Sequence, residues 1–186
     1  MKIRALVLSL AVVSTVFTGC AKQAAPTPAP AATTPAKTDT VTGASMATDE
    51  ASFEQKIGKD GNYIVLTNKD LTFTKDLTVD GKFTKKDANG NEVVSRSLAF
   101  ATTGADKKVD KRFTVTVPKL VINSENTLLE DGIVKGDIYV QAKGFKTKDT
   151  TINGNLYFAT EELKNAFKAD SLTKITGKVE VKAYTK

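Results

Sequence analysis

The sequences VKGDIYV at 134–140, INGNLYF at 152–158 and ITGKVEV at 175–181 are three copies of one short motif. Each copy has an apolar residue, a variable residue, a glycine and a polar residue, followed by apolar residues two positions apart. Alternation with a period of two is typical of a β-strand that buries one face. The glycine at the same place in each copy indicates a bend or the close approach of another backbone. The copies begin 18 and 23 residues apart, and a repeat of this length predicts stacked, similar structural units.

An 18-residue unit of short strands joined by tight corners predicts a right-handed parallel β-helix over residues 53–186. Residues 53–57 predict a short amphipathic helix, which would cover the first turn of the solenoid because an open end invites pairing with other chains. Residues 160–168 predict a second short helix, inserted at a corner and capped by Thr160. The expected class is therefore all-β, and the alternative is an antiparallel β-sandwich.

The Asn89-Gly90 pair favours the antiparallel alternative, because Asn-Gly is a strong hairpin signal. We interpret residues 84–105 as an excursion from the repeat. A sandwich would not explain the regularly placed glycines. Pro118 predicts a break in the strand ladder at a later corner. The apolar residues expected on the returning strand of the excursion are Val93, Val94, Leu98 and Phe100.

The composition excludes several kinds of chemistry. The 186-residue chain has no His, and therefore lacks the commonest general base and a common metal ligand. Its single Cys excludes an intramolecular disulfide, a cysteine-rich zinc site and an iron–sulfur cluster. No cofactor and no metal site are expected. The net charge of +6 is spread among lysines interleaved with Asp and Thr, which indicates a solvated surface, and nucleic acid is not an expected partner.

Residues 1–19 have the composition of an export signal. A basic start precedes the apolar run 5–16, which is too short to cross a bilayer as a helix. The run is followed by Gly19-Cys20 and resembles a bacterial lipoprotein signal, in which the cysteine becomes the lipidated first residue of the mature protein. The resemblance implies that Cys20 is the thioether attachment point for diacylglycerol. The alternative is an ordinary secretory signal that leaves a free thiol.

Residues 20–52 are predicted to comprise the lipid-anchor cysteine, Cys20, and a disordered tether. Four of the five prolines lie here among Ala and Thr residues, and such a segment buries too little surface to offset the entropy of ordering. The predicted organisation is a signal peptide at 1–19, the anchor and tether at 20–52 and a β-helix ectodomain at 53–186. It implies an exported protein held by its lipid on the outer side of a bacterial cell membrane.

The region from 53 to 186 also resembles a group of uncharacterised exported clostridial lipoproteins. The segments that carry this resemblance are Leu77–Phe83, Pro118–Ile122, Gly132–Val140 and Ile152–Glu162. The repeated glycine motif resembles, at the level of fold, the polymer-forming bactofilins, which are cytoplasmic. The first resemblance implies a surface lipoprotein, and the second implies end-to-end self-association. Neither supplies catalytic residues.

Some parallel β-helix proteins cleave polysaccharides with clustered Asp, Lys or Arg side chains. The corresponding residues in this chain would be Asp80, Lys135, Asp137 and Asp149. Each of them is better explained as a turn residue or an outward-facing residue, and no two share an evident face. We therefore predict that the protein is not an enzyme.

Two non-catalytic functions remain. A lipid-anchored solenoid would present long faces rich in Lys, Thr and Asn, which suit a cell-envelope glycan or an anionic wall polymer. The last turn, residues 179–186, has no evident cap and would permit end-to-end association into a structural envelope polymer. Binding of a glycan or wall polymer is the function that the sequence favours.

Overall fold

Parallel β-sheet dominates residues 44–186, the part of the chain that the structure, a computed structural model, describes. Two short helices accompany the sheets, α1 (Glu50–Ile57) and α2 (Glu161–Ala166). The predicted signal peptide, Cys20 and most of the predicted tether lie outside the described residues. The strands are β1 (Ala44–Ala47), β2 (Ile64–Thr67), β3 (Leu71–Thr72), β4 (Leu77–Val79), β5 (Thr84–Lys86), β6 (Glu92–Val94), β7 (Arg96–Ala99), β8 (Ala101–Thr103), β9 (Val109–Arg112), β10 (Thr114–Ile122), β11 (Thr127–Glu130), β12 (Ile133–Val140), β13 (Lys146–Lys148), β14 (Thr151–Asn153), β15 (Leu156–Phe158), β16 (Lys174–Ile175) and β17 (Val179–Val181).

Most of these strands belong to two parallel sheets. The first sheet has the order β1-β2-β7-β11-β13, and the second has the order β3-β10-β12-β14-β16. Strand β4 pairs with β10 in the second sheet, and β15 lies between β12 and β17. The chain alternates between the sheets, so that β11 leads into β12, and β13 leads into β14 and β15. Each unit therefore lies beside the preceding one.

The three glycine motifs are neighbours in the second sheet and pair in register. Ile138, Leu156 and Val179 occupy one row across β12, β15 and β17. This pairing confirms the predicted stacking of similar units and the mostly β class. Within the described residues, antiparallel pairing is confined to the β5–β6 and β8–β9 hairpins, whereas the two larger sheets are parallel throughout. The antiparallel sandwich is therefore not the arrangement observed.

The glycine of each motif lies where two backbones are packed too closely for a side chain. A Cβ atom on Gly154 would overlap the carbonyl oxygen of Gly136, and one on Gly177 would overlap that of Gly154. Gly136 also has a φ of +145°, and its Cβ would overlap the carbonyl oxygen of Val117. The predicted close approach of backbones is confirmed, and it explains why the glycines recur in phase.

The polar residue after each glycine links one motif to the next. The Asp137 carboxylate accepts hydrogen bonds from the Asn155 backbone N–H and side-chain amide, both at 2.9 Å. The Asn155 side-chain oxygen in turn accepts from the Lys178 N–H at 2.9 Å. These bonds satisfy backbone donors at the corner, where the strand ladder is interrupted.

Pro118 lies at an irregular point in β10. The pairing of β10 with β12 is regular up to Thr116, resumes at Lys119 and shifts in register between them. The predicted break in the ladder is confirmed, although strand structure continues on both sides of it.

The core contains inward-facing residues from both sheets and is covered by α1. Phe53 and Ile57 of this helix are buried, and the Phe53 ring lies 5.7 Å from that of Phe73 and 5.8 Å from that of Phe100. Asp49 caps the helix by accepting from the Ser52 N–H at 2.7 Å. The predicted amphipathic helix is therefore present and begins slightly earlier than expected.

Helix α2 occurs where the spacing between motifs increases. Thr160 caps it, as predicted, by accepting from the Leu163 N–H at 3.3 Å. Phe167 follows the helix and packs against Phe145 and Phe158, with ring centroids 5.8 and 5.3 Å away. The five additional residues between the second and third motifs therefore accommodate a helix that packs on the core through Leu163 and Phe167.

The predicted excursion is divided and shorter than expected. Strands β5 and β6 form the expected hairpin around Asn89-Gly90, and β8–β9 forms a second hairpin. Between them, β7 pairs in parallel with β2 and β11, and Leu98 and Phe100 are fully buried in the core. The placement of these two residues on a returning strand was wrong, because alternation of apolar residues does not distinguish a hairpin strand from a core strand of a parallel sheet.

Regular structure also begins before residue 53. Strand β1 pairs in register with β2, from Ala44 opposite Ile64 to Ala47 opposite Thr67, and Ala47 is fully buried. Residues 44–52 thus belong to the folded region and not to a tether. The sequence of β1 is Ala-Ser-Met-Ala, which has no recognisable apolar alternation, and backbone pairing with β2 stabilises the strand.

Candidate binding site at the corner of the sheets

A cavity of about 690 Å³ lies beyond the ends of α1, β4 and β10. Three loops and the end of β6 form its wall. Apart from Gly81, the lining side chains are polar or charged, with Val94 as the exception. A volume of this size is within the range of small-molecule sites in proteins. The lining residues are Lys59, Asp60, Asp80, Gly81, Lys82, Val94, Asn123 and Glu125. We call this set the corner site.

Local hydrogen bonds fix the wall of the corner site. The Asp80 N–H donates to the Ile57 carbonyl at 2.9 Å, and the Asp80 carboxylate accepts from the Gly81 N–H at 2.7 Å. The Ser124 hydroxyl donates to the Gly81 carbonyl at 2.8 Å. Gly81 has a φ of +101°, and a Cβ there would lie 2.5 Å from the Lys59 carbonyl oxygen. Only glycine fits this close contact between two loops.

A buried arginine holds the same loops together from within. Arg96 is fully buried and donates to the Lys56 carbonyl at 2.7 Å and to the Asp80 carbonyl at 2.9 Å. Its guanidinium lies 4.1 Å from the centre of the Phe83 ring. Burial lowers the pKa of Arg96 to about 10, and the nearby Asp80 opposes this shift. The side chain is therefore charged at neutral pH and ties α1 to the loop after β4.

The corner site offers free donors and acceptors. Lys59 and Lys82 provide ammonium groups, Asp60 provides a carboxylate and Asn123 an amide. Within residues 44–186, no side-chain hydrogen bond or ion pair engages Asp60, Lys82 or Asn123. Glu125 differs, since it pairs with Lys143 at 3.5 Å. The lining therefore combines both signs of charge with a neutral amide and is not uniformly basic.

The four residues considered for catalysis lie in different parts of the fold. Asp80 lines the corner site, where its carboxylate is bound by the Gly81 N–H. Asp137 belongs to the polar links between glycine motifs, and Lys135 is an exposed residue of β12. Asp149 follows β13 and pairs with Arg112. Three of the four have structural partners, and Asp80 is the one that lines the corner site.

Asp149 belongs to a group of opposite charges that largely neutralise one another. Lys148 pairs with Glu130 at 3.2 Å and with Asp131 at 3.8 Å. Burial raises the pKa of the Asp131 carboxyl, while Lys148 opposes the shift, and the hydrogen bond to Glu130 raises the pKa of Lys148. These pairs are typical of structural ion pairing on a sheet surface.

Residues 44–186 contain no group of three or more acidic, cysteine or histidine side chains arranged to hold a metal ion. Among the same residues, no helix has the length and apolarity needed to cross a membrane. Cys20, the predicted lipidation site, lies outside the described region.

Sequence reasoning identified Asp80 but not the rest of the corner site. Residues 77–79 and 120–122 are aligned in the second sheet, so the polar residues that follow each of them, Asp80 and Asn123, emerge at the same corner. Alignment of these two strands in the sequence would have predicted their proximity. The sequence contains no comparable signal that Lys59 and Asp60 line the corner site, because their position depends on where α1 packs.

Comparisons with protein-family models, with curated proteins and with solved structures found no match to this chain.

Proposed function

We propose that the protein is a membrane-anchored surface lipoprotein with a non-catalytic, glycan-binding ectodomain. The export signal and Gly19-Cys20 support the anchor and its position on the outer side of a bacterial membrane. The ectodomain is a right-handed parallel β-helix. In support of this fold, strands repeat at offsets of 18 residues between β12 and β15, and crossovers between parallel strands of one sheet are right-handed in nearly all proteins.

The corner site is the observation that carries the proposed function. A glycan presents hydroxyl groups that both donate and accept hydrogen bonds, and the site offers Lys82 and Asn123 as donors beside Asp60 and Asn123 as acceptors. A site for an anionic wall polymer would instead concentrate cations. Here three carboxylates accompany two ammonium groups, so a neutral glycan fits better than an anionic polymer.

Rigid walls favour recognition at this site. Arg96 and Gly81 fix the loops from which the free side chains project, which limits the ordering that a ligand would require. Within residues 44–186, the side chains of Asp60, Lys82 and Asn123 have no hydrogen-bond or ion-pair partner and are available to hold the hydroxyl groups of a ligand. Binding without chemical conversion is therefore the proposed role.

Calorimetric titration of the full-length chain tests this proposal. The probe is a hexamer of β-1,4-linked N-acetylglucosamine. The detergent that keeps the full-length chain in solution has no sugar headgroup, so that it does not compete with the probe. Lys82→Ala and Asn123→Ala should each weaken binding about threefold to tenfold, since one hydrogen bond contributes about 0.5–1.5 kcal/mol. The matched controls Lys85→Ala and Asn89→Ala, on the exposed β5–β6 hairpin, should bind like the unaltered chain. No binding, or equal losses in both pairs of variants, would contradict the proposal.

Self-association is a second candidate, favoured by the outer edge of β17. Val179 and Val181 are 39% and 37% exposed there, and the strand has a partner, β15, on one side. An exposed apolar edge can pair with another chain. The opposite edge of the second sheet is formed by β3 and β4, so that pairing of β17 with this edge of a second copy would continue the sheet from one molecule to the next.

A further inference from the structure

Residues 182–186, which we call the strap, follow β17 and run back across the outer face of the second sheet. The Lys182 N–H donates to the Phe158 carbonyl at 2.8 Å. Two residues later, the Tyr184 hydroxyl donates to the Asp76 carboxylate at 3.1 Å, across a sequence separation of 108 residues. The strap thus connects the last strand of the sheet to the segment before β4, at the opposite edge.

Two tyrosines lie beneath the strap. Tyr139 and Tyr157 are aligned with each other on β12 and β15, and with Val121 on β10. Their neighbours along each strand face the core, so this row faces outward. The two rings lie 4.8 Å apart at an angle of 41°. Despite their outward position, Tyr139 and Tyr157 are only 4% and 8% exposed.

The strap covers this row with side chains. The Tyr184 ring meets the Tyr139 ring edge-on, with centroids 5.5 Å apart. The Lys182 ammonium lies 4.7 Å from the centre of the Tyr157 ring. A short segment at the end of the chain therefore shields an aromatic surface that would otherwise meet solvent.

The far end of the strap is held by a small polar latch. Asp76 accepts from the Tyr184 hydroxyl and pairs with Lys119 at 3.2 Å, and the Lys119 ammonium lies 5.2 Å from the Tyr184 ring. The Lys119 and Asp76 side chains are 36% and 29% exposed. Solvated contacts of this kind contribute little free energy, so the latch opens at a low cost.

Tyr184 indicates what else the covered surface could hold. It presents a six-membered ring to Tyr139 and a hydroxyl group to Asp76. A pyranose has the same two features, an apolar C–H face that stacks on aromatic rings and hydroxyls that bind carboxylates. Lys119, released from Tyr184, would supply a donor for a second hydroxyl.

The covered surface lies close to the corner site. Asp80 and Asn123 come directly after β4 and β10 and follow Thr78 and Val121 by two residues, which is about 7 Å of extended chain. Thr78 and Val121 are aligned neighbours in the row that contains the tyrosines. An extended glycan in the corner site would reach this row directly.

We propose that the surface formed by Tyr139 and Tyr157 is a sugar-stacking extension of the corner site, and that the strap is its displaceable cover. This proposal rests on the proposed glycan-binding function and adds to it a second set of contacts and a competitor within the chain. The ligand displaces Tyr184, stacks on the two tyrosines and takes over its hydrogen bond to Asp76.

Affinity for the N-acetylglucosamine hexamer, measured on the full-length chain, tests the proposal. If the strap is closed in about nine-tenths of molecules, Tyr184→Ala should tighten binding about tenfold, because apparent affinity scales with the open fraction. Tyr184→Phe, which loses only the hydroxyl, should give a smaller gain in affinity. It replaces the alanine variant as the test if that variant does not fold. Thr185→Ala, an exposed strap residue, is the control and should bind like the unaltered chain. Adding Tyr139→Ala to Tyr184→Ala should remove the gain.

Tyrosine fluorescence gives an independent measurement, since the chain has no Trp. Quenching by acrylamide should increase in Tyr184→Ala, and the hexamer should reverse the increase. Unchanged or weaker binding in both Tyr184 variants would overturn the proposal, and if Asn123→Ala still weakened binding, the corner site itself would stand. An absence of binding in every variant would overturn both the proposed function and the strap as its cover.

Discussion

At the scale of single residues, the stacked sheets depend on two kinds of position. At the first kind only glycine fits, and at the second one particular side chain is required. Gly154 lies between the backbones of two neighbouring motifs, and Gly81 lies between two loops of the corner site. Arg96 is the opposite case, a large charged residue that the fold encloses completely. In both cases, the surroundings leave little freedom to adapt to a substitution.

Gly154→Ala should destabilise the protein by about 3 kcal/mol, the upper part of the range for forcing extra volume into a packed interior. The added methyl would overlap the Gly136 carbonyl, and a backbone atom cannot rotate away. The measurement is urea-induced unfolding of the full-length chain. The control is Gly104→Ala, where the nearest atom is the end of the flexible Asp106 side chain at 3.2 Å. Equal stability of the two variants would refute the close stacking of motifs.

Arg96→Met should cost about 3 kcal/mol, because the Lys56 and Asp80 carbonyls would lose their donors inside the fold. The exposed Lys85→Met should change stability by no more than about 0.5 kcal/mol. Thermal unfolding of both variants provides the comparison, and binding of the glycan probe should weaken in Arg96→Met even where the protein remains folded. A stable Arg96→Met variant with normal binding would exclude the proposed bracing of the corner site.

At the scale of elements, repeats and caps could be predicted, whereas irregular neighbours could not. The glycine motifs indicated their own stacking, and Thr160 indicated the start of α2, because both signals are local. Strand β1 lacks an apolar pattern, and β7 was hidden between two hairpins. The strap left no signal in the sequence, since Tyr184 meets Asp76 only after the whole sheet has formed.

The strap should respond to alkaline pH. Burial, and next the hydrogen bond to Asp76, raise the pKa of Tyr184 above its usual value near 10, with Tyr139 acting in the same direction and Lys119 opposing it. The neutral phenol is therefore favoured when the strap is docked. Its stabilising contribution should be complete below pH 10 and be lost as pH rises through the raised pKa. Phenolate absorbance should reveal a tyrosine that titrates late in the unaltered chain and is missing in Tyr184→Phe. If the late titration persists in Tyr184→Phe, the docking of Tyr184 is contradicted.

At the scale of the whole molecule, the corner site is assembled from segments that lie far apart in the chain. Residues after α1, after β4 and after β10 meet there because helix packing and strand register bring them together. Glycan binding could therefore be proposed from the sequence in general terms, whereas the position of the corner site could not. The mixed charges of the corner site are the reason for which we propose a neutral glycan and not an anionic polymer.

Co-sedimentation of the full-length chain with isolated cell walls, at low and high salt, tests the central claim most directly. The walls are used before and after removal of their anionic polymers, and a tube without walls reports self-association. Hydrogen bonding to a neutral glycan predicts that the protein pellets with both kinds of wall and is not released by salt. Release by salt, loss of binding after removal of the anionic polymers, pelleting without walls, or protein that stays in solution in every tube would contradict the account.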